Sequence, residues 1–145
     1  MRIVLDTNVL VSGLLHSHGN PGQVLALALA GAVQVCHDHR ILAEYTEVLA
    51  RPRFQFNPER AREVLAKLEQ DGASISASDR PLGLPDADDE SFLAVALAGL
   101  TDYLVTGNMA DYPVEKRRGC AVVSPAEFMR IWNSRQPDLP QASAS

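Results

Sequence analysis

Asp6, Glu44, Asp89 and Asp111 are the side chains of this sequence best placed to do chemistry together. Carboxylates packed side by side repel one another, and each has its pKa raised. Such a cluster becomes stable, and useful, when it holds a hard divalent cation. Mg²⁺ or Mn²⁺ takes oxygen ligands, keeps several of its waters and bridges to phosphate. An ion held this way generates hydroxide and stabilises charge at a phosphodiester in transit. Thr106 and Asn108, in the turn that leads to Asp111, are suited to orient a carboxylate or a metal-bound water. That the four acids meet is a geometric expectation, because they are spread from position 6 to position 111.

The elements around them make the expectation concrete. Ile3-Val4-Leu5 is a short β-branched apolar run that reads as a strand buried on both faces, and Asp6 ends it. In an open parallel sheet, ligands bind beyond the carboxyl ends of the strands, where Asp6 would stand. Taken alone, Asp6 serves equally well as the cap of the helix that follows. The stretch from Asp38 to about Ala50 reads as a helix with a stripe of Ile41, Leu42, Tyr45, Val48 and Leu49. At ~100° per residue, Glu44 falls beside that stripe; a single Glu there, without the other acids, reads as a solvated flank. Asp86-Ala87-Asp88-Asp89-Glu90 opens another helix, and acids at a helix start are commonly there for the dipole. Asp89, however, lines up with Leu93, Ala96 and Leu100 and aims inward. Asp102 to Thr106 is the next strand, which puts Thr106, Asn108 and Asp111 at its carboxyl end.

The remaining segments alternate in kind. Asn20-Pro21 starts a helix that Gly31 ends, and Val33 to His37 is a second strand, so the first strand pair is parallel with a helical crossover. Asn57-Pro58 starts a helix ending at Gly72, and Ala73 to Ala77 is a weak strand at the sheet edge. Ala121 to Val123 is the last strand, and Ser124-Pro125-Ala126-Glu127 is a capping box for a helix carrying Phe128, Met129, Ile131 and Trp132. This is an α/β pattern with a mostly parallel sheet. One domain over residues 1–132 is expected, with a disordered polar tail over 133–145.

Composition excludes other classes. The chain has 145 residues, 46% of them hydrophobic, enough for one core without staples. Its formal net charge of −5 argues against nucleic-acid binding by bulk charge, though Arg51, Arg53, Arg60 and Arg62 are candidates for a local basic lip. Cys36 and Cys120 lie in apolar strand-like runs with no CxxC, so buried reduced thiols are expected rather than a disulfide or zinc site. The first residues lack a signal-peptide layout, and the longest apolar stretch, Val24 to Val33, is too short to span a bilayer. A cytoplasmic protein is expected.

Leu5-Asp6-Thr7-Asn8-Val9-Leu10, the Glu44 helix, Asp89 ahead of an Ala-rich helix, and Val105-Thr106-Gly107-Asn108 with Asp111 together resemble a PIN domain, over roughly Arg2 to Trp132. Leu49-Ala50-Arg51-Pro52-Arg53-Phe54 and Asp86-Ala87-Asp88-Asp89 resemble the VapC-like branch, the toxins of toxin–antitoxin pairs. The resemblance implies a three-layer α/β/α sandwich, Rossmann-like, and metal-dependent cleavage of single-stranded RNA. By position it makes Asp6, Glu44 and Asp89 the metal-binding and catalytic acids and Asp111 the fourth. Asn8, Thr106 and Asn108 become the groups that orient them, and Arg51, Arg53, Arg60 and Arg62 the RNA contacts. The relatives often read TGD where Asn108 stands here. A neutral amide attracts a second metal less, and Asp86 is a substitute ligand. The resemblance further implies a homodimer and a small antitoxin lying across the acidic groove.

Three other readings compete. A nuclease of the same fold would act on structured DNA or precursor rRNA. A catalytically silent PIN-like module would bind or assemble without turning over. An aspartyl-nucleophile phosphatase would want DxDx[TV] after the first strand, and Thr7-Asn8 follow Asp6 instead.

Overall fold

The computed structural model describes residues 1–135. Its chain order is β1 (Arg2–Leu5), α1 (Thr7–Leu15), α2 (Asn20–Leu29), β2 (Gln34–His37), α3 (His39–Leu49), α4 (Pro58–Asp71), β3 (Ala73–Ser74), α5 (Glu90–Ala98), β4 (Tyr103–Val105), β5 (Val122–Val123) and α6 (Pro125–Arg135), with four one-turn 3₁₀ segments in the connections. The five strands form one sheet in the order β3-β2-β1-β4-β5, and every pairing is parallel. Helices cover it: α5 packs across β1, β2 and β4, while α2 packs on α1, α4 and α6. The architecture is the α/β/α sandwich expected, and β3 is the short edge strand.

β1 is the centre of the sheet. Ile3, Val4 and Leu5 have no exposed surface, which accounts for the unbroken apolar run. The register sets Leu5 beside Val105 of β4, and the Asp6 amide continues the ladder to the Val105 carbonyl at 3.0 Å. From β1 the chain winds outward to β2 and β3, then returns to place β4 and β5 on the other side. Strand order therefore reverses between β1 and β4. Beyond such a reversal the connections diverge and leave a crevice at the carboxyl edge. Asp6 and Thr106 are the first residues past the two strands that frame it.

Two of the four largest fully buried side chains are tyrosines, Tyr45 and Tyr112. A buried hydroxyl must find a partner. Both find one at the end of β1: Tyr45 donates to the Leu5 carbonyl, and Tyr112 donates to Asp6 Oδ2 at 2.9 Å. The core is thus tied by hydrogen bonds to the edge where the acids collect.

Several helix starts follow the expected chemistry. The Asp38 carboxylate accepts from the Arg40 and Ile41 amides, and Asn57 Oδ1 accepts from those of Glu59 and Arg60. Gly31, at φ +78°, takes the left-handed turn after α2 that suits a residue without Cβ. Three expectations need correction. Cys36 is buried in β2, but Cys120 precedes β5 and is half-buried, because the chain there is still crossing the surface. β3 is two residues long, shorter than Ala73 to Ala77. Asn133 to Arg135, assigned to the tail, complete the last turn of α6; residues 136–145 lie outside the described residues. No helix among the described residues is long and apolar enough to cross a membrane.

Candidate active site

The crevice opens into a cavity of about 640 Å³ walled by the ends of β1, α3 and the turn before α5. Asp6, Glu44 and Asp89 all line it, joined by Asp86 and Asp88. Asp6 and Asp89 both occupy helix N-cap positions, of α1 and α5, yet neither makes a side-chain capping bond. The capping reading of Asp6 is therefore set aside, although its carboxylate still takes a bond from the Thr7 backbone at the helix start.

Asp6 turns instead toward β4. Its Oδ2 accepts from Thr106 Oγ1 and from Tyr112 Oη, each at 2.9 Å. Thr106 Oγ1 is oriented in turn by the Asn108 amide at 3.0 Å and the Asn8 side-chain amide at 3.5 Å, and Asn8 Oδ1 accepts from the Gly107 amide at 2.8 Å. Asn8 thus bridges the two chain segments that frame the crevice. Burial pushes the Asp6 carboxyl up, the Thr106 and Tyr112 hydroxyls and the Thr7 backbone pull it back, and the charge of Asp111 pushes it up again. Both hydroxyls occupy one oxygen.

Glu44 hangs from α3 with Oε2 accepting from the Thr7 hydroxyl. Burial raises its pKa, the Thr7 bond opposes this, and the charges of Asp6, Asp88 and Glu47 raise it further. Asp89 is the most perturbed acid. Burial, then the charges of Asp6, Asp111, Asp86 and Glu44, push it up to about 7. Its Oδ2 is buried without any hydrogen-bond partner. A buried oxygen with nothing to accept from is costly, and carboxylates in that state are common where a cation or a substrate belongs.

Asp111 does not line the cavity; it acts on Asp6 and Asp89 through its charge. Among the described residues no group of three or more His, Cys, Asp or Glu side chains stands close enough to form a ready metal site. The acids act on one another through their charges, as the raised Asp6, Glu44 and Asp89 carboxyls record. The donor chemistry fits a hard divalent ion: carboxylate oxygens from three separate segments, one of them unpartnered and raised by its neighbours.

A model of the PIN domain matches residues 2–110. The chain belongs to the PIN-domain family. No curated protein matches it. PIN domains are generally nucleases and typically use divalent metal ions. Asp111 lies just past the matched stretch.

Two sequence expectations are met only in part in this PIN domain. The four arginines do not form one lip. Arg51 and Arg53 line the acidic cavity, Arg51 also lines a second depression together with Arg62, and Arg60 faces a third beside α1 and α2. At about 100° per residue Arg60 and Arg62 stand on nearly opposite faces of α4, and neither lines the acidic cavity. Arg51 is moreover engaged by Glu47, through two bonds of 2.8 Å. Asn108 orients Thr106, and through it Asp6, by its backbone amide; the residue lines a depression next to Pro21 and Pro125 rather than the acidic cavity. Asp86, the suggested substitute, does line the cavity.

Sequence reasoning missed Thr7, Tyr112 and Glu90. Glu90 accepts from the Leu82 and Leu84 amides, stapling the preceding loop so that Asp86–Asp89 can form their turn. Thr7 and Tyr112 read as ordinary neighbours of Asp6 and Asp111; nothing in local spacing marks a hydroxyl that reaches a carboxylate 106 residues away. Tyr112 also stays protonated, since burial and the surrounding acids hold its hydroxyl well above the usual range. It is a permanent donor. Tyr112→Phe is expected to weaken Mn²⁺ binding about 10- to 100-fold and to destabilise the fold by about 1.5 kcal/mol or more. Titration calorimetry and urea melts check the two effects.

Proposed function

We propose that this PIN domain is a metal-dependent endoribonuclease that cleaves single-stranded RNA. The observation that carries the reading is Asp89: a carboxylate at a helix start that caps nothing, with a buried, unpartnered oxygen, inside the field of four other acids. Mg²⁺ or Mn²⁺ would be held by Asp6, Glu44 and Asp89. Bound there, the ion supplies a water of lowered pKa and neutralises charge on the phosphodiester. The protein's own groups do the rest. Thr106 and Tyr112 hold one Asp6 oxygen and so present the other; Thr7 orients Glu44. Asp111 and Asp86 deepen the negative potential that draws the cation. Without a cation the same charge repels an RNA backbone, so a bound cation should strengthen RNA binding.

The toxin reading is supported by the way two of its segments meet. Arg51, Arg53 and Phe54 from one, and Asp86, Asp88 and Asp89 from the other, line the same cavity. It brings with it a homodimer and a small antitoxin protein across that groove. The catalytically silent alternative is favoured by one finding, the lack of a ready three-acid metal site among the described residues. The test separates them. End-labelled single-stranded RNA is incubated with the protein in Mn²⁺ and in EDTA, beside duplex DNA. Cleavage of the single strand in Mn²⁺ alone is expected. Cleavage that survives EDTA, or that prefers duplex DNA, overturns the proposal, and no cleavage in either condition establishes the silent module.

A further inference from the structure

We infer that Arg53 and Phe54 form a stacking platform for an unpaired nucleobase next to the scissile phosphate. The inference rests on the nuclease reading above and names the feature of the substrate that this site selects. Pro52–Phe54 is a single 3₁₀ turn directly after α3, and Gln55, at φ +54°, reverses the chain behind it. The turn carries Phe54 to the wall of the cavity that Asp6, Glu44 and Asp89 also line. Phe54 is half-buried and rests on Phe56, with ring centroids 5.6 Å apart and planes 20° from parallel. The Arg53 guanidinium lies over the Phe54 ring, 4.8 Å from its centroid. Arg53, Phe54 and Phe56 thus make one contiguous group of flat side chains, and Arg53 is exposed.

The charges around the cavity say what this group recognises. Arg51 is bound to Glu47, whereas Arg53 has no carboxylate partner among the described residues. One free cation cannot offset the acids enough to grip a phosphate backbone. A base, by contrast, is neutral and presents a flat π face, and both aromatic rings and guanidinium planes stack on such faces. Stacking is also nearly indifferent to salt, unlike phosphate binding, whose log–log slope grows by about 0.7 per contacted phosphate of a single strand. The platform requires a base that is free of its own helix, so paired RNA is rejected for want of an open face.

The test uses a short single-stranded RNA carrying one 2-aminopurine, whose fluorescence is quenched on stacking. It is titrated with wild-type protein in EDTA, which keeps the strand intact. Saturable quenching with a salt slope of about −1 or shallower is expected, and the same strand annealed to its complement should not bind. Phe54→Leu, which preserves apolar packing but not the ring, should weaken binding at least about fivefold, and Phe54→Trp should restore it. The platform is overturned if wild type does not quench, if Phe54→Leu binds as wild type does, or if Leu and Trp variants are equally weak. Quenching without any Mn²⁺-dependent cleavage would sink the nuclease reading and leave the platform standing; cleavage with an indifferent Phe54→Leu would do the reverse.

Discussion

Asp6→Asn should lower metal-dependent cleavage by more than about 100-fold, beyond the effect of removing a group that merely supports a ligand, and should leave the fold as stable or firmer. The substitution keeps the shape of the side chain, and the retained oxygen still accepts from Thr106 and Tyr112. It removes a charge from a position that is only 4% exposed and that burial already penalises. The neighbours feel this too: Glu44 and Asp89 both lose a negative charge that raises them. Single-turnover cleavage in Mn²⁺ and thermal melting of the metal-free protein measure the two halves of the claim. Undiminished cleavage removes the site assignment. A large fall in melting temperature would instead mean that the ionised carboxylate is a structural anchor for the two hydroxyls.

Asp89 makes the stability of the metal-free protein depend on pH in an unusual direction. Its folded pKa is about 7, against an ordinary value of 3.8. Between roughly pH 4 and pH 7 the folded state therefore binds more protons than the unfolded state, so stability falls as pH rises through that window. Asp6 and Glu44, both also raised, act in the same sense. Because Asp89 is only half-buried, solvent screens much of the effect, and a loss on the order of 1 kcal/mol by pH 8 is expected. Asp89→Asn should flatten the profile and stabilise the metal-free protein above pH 7. Mn²⁺ should do the same for wild type by replacing the proton, with affinity falling about tenfold per pH unit below 7 for a single displaced proton. Urea denaturation at pH 5, 6.5 and 8, with and without Mn²⁺, reads all of this. Stability that climbs with pH in the metal-free protein would show that Asp89 is ionised and satisfied by something else.

The same physics explains what kind of site this is. A net-acidic chain with an acid-floored cavity does not attract RNA by charge. In the proposed function its potential selects the cation, and the cation together with Arg53 and Phe54 recruits the strand. The buried tyrosines matter here because they are part of the core and part of the site at once. Tyr45 and Tyr112 end on consecutive residues, Leu5 and Asp6, so the packing of α3 and of the loop after β4 is transmitted directly to the carboxylate.

What the sequence determined by itself was local. The Ile3–Leu5 run announced a strand buried on both faces, helical rotation placed Glu44 at the margin of a stripe and turned Asp89 inward, and Asp38, Asn57 and Gly31 marked helix ends by their own backbone chemistry. Each of these depends only on neighbours within a turn or two, which is the range over which periodicity and capping carry information. Only the tertiary structure decided that β4 lies against β1, and that decision alone brings Thr106 and Tyr112 onto one oxygen of Asp6. It also spread the four arginines over three depressions, with Arg51 shared between two, left Asn108 off the acid cavity, and set Phe54 on its wall. Contacts of that kind arise from the order of strands in the sheet. Many strand orders bury the same apolar runs equally well, so burial patterns along the chain do not distinguish them.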